Sequence, residues 1–361
     1  MNDRLSFASD YLEGAHPSIL KRLADTNWQK LPGYGFDEIS LAAKDKIRQA
    51  CHAPNAEVEF LVGGTQANAV MIDALLQPYQ GVAAADTGHI SVHEAGAIEA
   101  GGHKVLTLPG HEGKITAAQI AELAGDYAAD ANHDHMVMPG MVYLSQPTEF
   151  GTLYTKSELQ AIHDVCQQYD MKLYVDGARL SYALACTVND VTMADLATLC
   201  DAFYIGGTKC GALIGEAVVI PDPKLLPHLF TMIKQHGALL AKGRLLGIQF
   251  DELFKDNRYI DIARPAILYA DQIRDCLKQN GYQLYGSSPT NQTFFVIENQ
   301  QLARLEKQVE FSFWEKYDET HTIIRFATSW ATQKQDVDQL CKLMRELACL
   351  LFGFWDATIT F

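Results

Sequence analysis

Between about residue 58 and residue 220, short continuous apolar runs alternate with longer stretches whose apolar residues return at helical spacing. The short runs are rich in β-branched and aromatic residues, as in Leu173-Tyr174-Val175 and Ala202-Phe203-Tyr204-Ile205. Runs without polar alternation are typical of strands buried on both faces. They predict strands at 58–62, 82–85, 104–106, 141–145, 173–176, 202–205 and 215–220. Helices are predicted at 40–51, 69–76, around 116–123, and at 156–169. This alternation predicts an α/β fold, with a mostly parallel sheet covered by helices on both faces.

The flanks differ. Residues 1–17 read as an irregular arm. A helix then starts at His16-Pro17-Ser18, with Ile19, Leu20 and Leu23 facing inward, and Gly33-Tyr34-Gly35-Phe36-Asp37 is a turn. After about Phe250 a long helix is expected at 262–281, strands at 293–298 and 322–327, an irregular stretch at 311–317 and a helix at 334–352. The expected organisation is an arm (1–17), a large domain (18–250) and a smaller C-terminal α+β domain (251–361), joined by the long helix.

The chain has 361 residues, enough for a large core and more than one lobe. A net charge of −15 argues against nucleic acid or an anionic membrane as a partner. No apolar run approaches the roughly 20 residues of a membrane span, and Met1-Asn2-Asp3-Arg4 lacks an apolar signal core. The eight cysteines form no CxxC and no zinc spacing, so no metal is expected, and a reduced cytoplasmic protein is. Cys210, beside Lys209, reads as a reactive thiol or, more simply, as a small packing residue.

Candidate chemistry gathers at strand ends, where open α/β sheets bind ligands. One strand ends in Asp176, with Arg179 three residues on; another leads into Gly206-Gly207-Thr208-Lys209. A lysine that forms a Schiff base and an acid for the pyridinium nitrogen are what pyridoxal 5'-phosphate (PLP) chemistry needs. Asp176 would keep the ring nitrogen protonated, since a nearby opposite charge favours the charged form. A strand-end structural acid is the other reading of Asp176. Gly63-Gly64-Thr65 joins a strand to a helix, where backbone N–H groups can hold a phosphate. It is neither a P-loop nor GxGxxG. His89 offers a flat ring and an acid–base group, with Glu94 five residues on. Arg325 alternates with apolar residues in Ile323-Ile324-Arg325-Phe326-Ala327. It fits either a carboxylate fork or an interlobe salt bridge.

Together these runs resemble the threonine aldolase/β-eliminating lyase family of PLP enzymes, fold type I, in the aspartate aminotransferase-like superfamily. The matching order is Ser9-Asp10, Tyr34-Gly35, Gly64-Thr65-Gln66-Ala67-Asn68, His89 with Glu94-Ala95-Gly96, Asp176-Gly177-Ala178-Arg179, Thr208-Lys209 and Arg325. The resemblance implies a seven-stranded type of sheet. It makes Lys209 the cofactor-linking lysine, Thr208 the hydroxyl before it and His89 the stacking ring. Arg179 would lie near the cofactor's phenolic oxygen and the substrate carboxylate, with Ser9 and Arg325 as the other carboxylate ligands. Arg244 would reach a neighbouring subunit's phosphate, and His135 would lie near the substrate hydroxyl. The implied assembly is a homodimer or homotetramer.

Three segments depart from the pattern. Ser-Gly-Thr has become Gly63-Gly64-Thr65, Ser-Asp-Thr has become Ser9-Asp10-Tyr11, and Leu-Glu-Asn has become Leu144-Ser145-Gln146-Pro147-Thr148-Glu149. Cofactor positions are kept while positions facing the substrate side chain have drifted. The expected activity is retro-aldol cleavage of a β-hydroxy-α-amino acid to glycine and an aldehyde. His135, His89 or a water held by them is the expected base. β-Elimination, amino-group transfer and a catalytically silent binding protein are the alternatives.

Overall fold

The computed structural model describes residues 4–349. Its strands are β1 (Leu5–Ser6), β2 (Glu57–Leu61), β3 (Gln80–Ala85), β4 (Val105–Leu108), β5 (Met138–Ser145), β6 (Lys172–Asp176), β7 (Ala202–Gly206), β8 (Glu216–Ile220), β9 (Gln292–Glu298), β10 (Val309–Glu310), β11 (Ser312–Lys316) and β12 (His321–Ala327). Seven of them form the main sheet, in the order β2-β8-β7-β6-β5-β3-β4. All run in one direction except β8, which is antiparallel to both neighbours. The expected mostly parallel α/β sheet is therefore present.

Both faces of this sheet are apolar, as the unbroken runs require. On one face Val142, Leu144, Val175, Phe203 and Ile205 pack under helices that include Glu38–Ala50 and Lys156–Gln168. On the other, Met141, Tyr143, Tyr174 and Tyr204 pack under the helix Gly64–Leu75. Thr155 starts the Lys156–Gln168 helix with a reciprocal capping box to Glu158. Buried tyrosine hydroxyls need partners, and these three determine part of the site described below.

The smaller sheet, β11-β12-β9, is antiparallel and packs against the helices Arg264–Gln279 and Lys334–Cys349. Residues 350–352 of the expected last helix lie outside the described residues. Two expectations need correction here. The stretch at 311–317 is not irregular, because Ser312–Lys316 is a strand. Its register shifts between Phe313 and Glu315, which breaks the period-two pattern. The arm is not wholly irregular either: β1 pairs in parallel with β10. Leu20 also differs from expectation. Ile19 is buried, while Leu20, one step round the helix, is exposed.

Candidate active site

β6 and β7 lie side by side, with Val175 opposite Phe203, so Asp176 and the Gly206–Lys209 turn leave the same edge. Their loops touch: a Cβ on Gly177 would overlap the Tyr204 carbonyl. Glu216, the first residue of β8, accepts from the Gly207 N–H (3.1 Å) and the Thr208 hydroxyl (2.8 Å). Burial pushes the Glu216 carboxyl up to about 8. Tyr182 donates to the Lys209 carbonyl at 2.7 Å. The lysine backbone is thus held from both sides. Burial, and then the charge of Arg179, lower the pKa of the Lys209 amine, which favours the uncharged nucleophile.

Asp176 is anchored from three directions. Tyr143 donates to it at 2.6 Å, Asn68 Nδ2 at 3.1 Å and the Ala178 N–H at 2.9 Å, with the Tyr204 side chain beside them. Burial opposes its charge, but the His89 charge and these donors outweigh burial and hold the carboxyl below its usual range. Asn68 is oriented by the Tyr174 hydroxyl at 3.1 Å, and its Nδ2 also reaches Glu94 at 2.7 Å. Glu94 in turn lies 2.8 Å from His89 Nδ1. Burial disfavours the imidazolium, yet the Glu94 bond and the Asp176 charge raise the His89 pKa. Glu149 completes the group, accepting from the His89 backbone N–H at 2.9 Å and the Ser145 hydroxyl at 2.7 Å.

The arm and the small sheet bring the basic groups. Asp10 grips Arg179 through Nε (2.6 Å) and Nη2 (3.0 Å), and Asn291 donates to the same carboxylate at 2.9 Å. Arg325 donates to the Gln292 side chain (2.8 Å), the Ala8 carbonyl (3.1 Å) and the Ser312 hydroxyl (2.9 Å). Its Nε and the Ser9 hydroxyl are buried without a hydrogen-bond partner among the described residues. Arg325 forms no salt bridge there either, so the interlobe ion pair is not what holds it. Burial, then the Arg179 charge, lower its pKa to about 10. A cation and a hydroxyl left with open hydrogen-bonding positions suit an incoming carboxylate.

Val62, Gly63, Gly64 and Thr65 line the same cleft, with His89, Asp176, Arg179, Thr208 and Lys209. Gly63 caps the Gly64–Leu75 helix without a side-chain bond, so the first-turn N–H groups remain free of a side-chain cap. The cleft, about 180 Å³, adjoins an outer cavity of about 460 Å³. His89, Glu149, Arg179 and Lys209 line both, and Arg325 and Trp314 line the outer one. A larger cavity of about 550 Å³ lies elsewhere, by Glu112 and Pro289, and contains none of these site residues.

Of the expected residues, Ser9, His135 and Arg244 line neither the cleft nor the outer cavity. His135 is exposed, at the end of the turn His133–His135 that precedes β5. The cleft lies beyond Ser145 at the opposite end of β5, and Met138 to Ser145 spans roughly 23 Å of extended chain. Within one chain, His135 is therefore not a base for the chain's own site. Arg244 starts the helix Arg244–Leu253 and donates to the Gln29 (2.7 Å) and Asn27 (3.3 Å) carbonyls. Glu149, Glu216, Tyr143 and Tyr204 were not foreseen as part of the site. A carboxylate shortly after a strand end is a signal that could have found Glu149.

A half-buried lysine, an anchored carboxylate, a histidine ring and an uncapped helix N-terminus fit PLP. Fold and site together define a PLP enzyme of fold type I. The model of the beta-eliminating lyase family matches residues 6–309, and the chain belongs to that family of PLP-dependent lyases. The low specificity L-threonine aldolase of a Pseudomonas species is 31% identical over 351 residues, covering 94% of this chain and 96% of that one. The solved structure of Leishmania major threonine aldolase is 40% identical, with a TM-score of 0.92 over 95% of this chain and 99% of that one. Thermus thermophilus aspartate aminotransferase shares the fold, at 14% identity and a TM-score of 0.70 over 96% of this chain and 92% of that one. Among the described residues no helix is long and apolar enough to cross a membrane.

Proposed function

We propose that the protein cleaves a β-hydroxy-α-amino acid of the threonine type between Cα and Cβ, giving glycine and an aldehyde. The observation that carries this reading is a half-buried arginine, Arg325, without an ion pair among the described residues, on the wall of the outer cavity that Lys209 also lines. Full-length similarity to threonine aldolases supports the same reaction. Lys209 holds PLP covalently and Asp176 holds its ring nitrogen. The first turn at Gly64 and Thr65, with Thr208, takes the phosphate, and His89 stacks on the ring. Bound there, PLP supplies an electron sink for the pair left on Cα.

The substrate carboxylate docks on Arg325 and Ser9. Arg179, with two of its nitrogens committed to Asp10, reaches the cofactor side of that carboxylate. The assembly is a homodimer or homotetramer, and Arg244, which bonds the Asn27 and Gln29 carbonyls of its own chain, contributes to a neighbour's phosphate site. A reducing, cytoplasmic setting fits the free thiols. The test is product identity. Glycine with an aldehyde supports cleavage; a keto acid with ammonia means β-elimination, and loss of activity unless a keto acid is supplied means transamination.

A further inference from the structure

His135 lies at the far end of β5 in its own chain, so within one chain another group must take the proton from the substrate's β-hydroxyl. We propose that Glu149 is this base; the inference rests on the cleavage reading above. Glu149 lines both the cleft and the outer cavity, so its carboxylate sits where the cofactor space meets the space for the substrate. Two donors orient it, the His89 backbone N–H at 2.9 Å and the Ser145 hydroxyl at 2.7 Å, and both bonds go to Oε1. Ser145 stands where the family resemblance has the glutamate of Leu-Glu-Asn. The serine binds Glu149, so the carboxylate lost from the strand end returns from four residues further along.

The two histidines on the wall of the outer cavity are less suited. His89 has its Nδ1 bound to Glu94 at 2.8 Å, and His93 is exposed, its ring without a hydrogen bond among the described residues. The surroundings of Glu149 also suit a base. His89, Asp176, Arg179 and Lys209 share the cleft with it, and Tyr143 and Tyr154 approach from β5 and the segment after it. His93 and Arg325 stand in the outer cavity. Burial raises the Glu149 carboxyl above its usual range, against the Ser145 bond, and the Asp176 charge raises it further. A base works best with a pKa near the working pH.

The step balances without a further reactant. Glu149 takes the hydroxyl proton, and the O–H electron pair becomes the new C=O bond. The Cα–Cβ pair passes to Cα, where a proton later replaces the aldehyde to give glycine. Glu149 then returns its proton to water.

The test compares wild type, Glu149→Gln and Glu149→Asp as PLP-loaded protein. Four quantities are followed: glycine released from L-threonine across pH, PLP content, the absorbance change on adding glycine, and exchange of the glycine α-proton in deuterium oxide. Glutamine should lower kcat/KM for cleavage by about 10²–10⁴-fold, the usual worth of a positioned base. It should also remove the acid limb of the pH profile, and aspartate should restore part of the rate. PLP content, the glycine spectrum and α-proton exchange should stay at wild-type levels, since none needs a hydroxyl base. Wild-type cleavage by Glu149→Gln would overturn the proposal. Joint loss of PLP, glycine binding and cleavage would overturn it too, by making Glu149 a support for His89. Wild type that releases no glycine from β-hydroxy amino acids would instead overturn the cleavage reading itself.

Discussion

Asp10, from the N-terminal arm, closes a two-pronged ion pair on Arg179, at 2.6 and 3.0 Å, with its own side chain fully buried. Burial alone would raise the Asp10 carboxyl. The Arg179 charge, the nearby Lys209 charge and the bonds from Arg179 and Asn291 reverse this and hold it far below the usual carboxylate range. The arm is thereby tied to the cofactor cleft through a residue 169 positions away.

Asp10→Asn should destabilise the protein by up to about 3 kcal/mol, because it leaves a largely buried guanidinium, open only to the cleft, without its counter-charge. A carboxyl with a depressed folded pKa adds stability that is complete above its unfolded pKa of about 4 and is lost as pH falls below that. Wild type should therefore lose this stability only in acid, and the variant should lack that part of the dependence. Melting temperature from pH 7 down to pH 3 measures it.

Asp176→Asn keeps the size and some hydrogen bonds of the aspartate but removes the charge that keeps a ring nitrogen protonated. Turnover should fall by orders of magnitude while the protein still folds and takes up PLP. Steady-state kinetics with cofactor absorbance measure this. A mild loss would make Asp176 a structural acid of the strand end.

Arg325→Lys keeps the charge and loses the planar fork. The loss of a charge-assisted bond should cost roughly 1.5–3 kcal/mol, or about one to two decades in kcat/KM. PLP content should not change, because its neighbours Gln292, Ser312 and Ala8 belong to the arm and small sheet. Kinetics and melting temperature on one preparation separate this from a purely structural role, which predicts lost stability with normal kinetics.

The strand ends were legible because β6 and β7 are unbroken apolar runs, so a charged residue following them stands out. Asp176 and Lys209 were found in this way, and Arg325 as a charge set among the apolar residues of a strand. The partners of those residues were not. Asn68, Tyr143, Tyr204 and Glu216 meet Asp176 and Thr208 only through sheet order and helix packing, which no local pattern encodes. His135 shows the same limit from the other side: a match in linear order placed it in the site, and strand direction places it at the opposite end of β5. The β11 strand was hidden by its own bulge, which disrupts alternation just where a strand would be sought.

Arg244 should matter only in an assembled protein. Light scattering at assay concentration should give at least a dimer, and Arg244→Ala should weaken PLP retention without unfolding the chain. A fully active monomer would exclude a contribution across the interface.

Glycine released from L-threonine by wild type and by Lys209→Ala, both supplied with PLP, tests the central claim most directly. Wild type should form one glycine for each threonine consumed. Lys209→Ala should form none while remaining folded and binding PLP weakly through its phosphate contacts. Glycine formed at the wild-type rate without Lys209 would contradict the account.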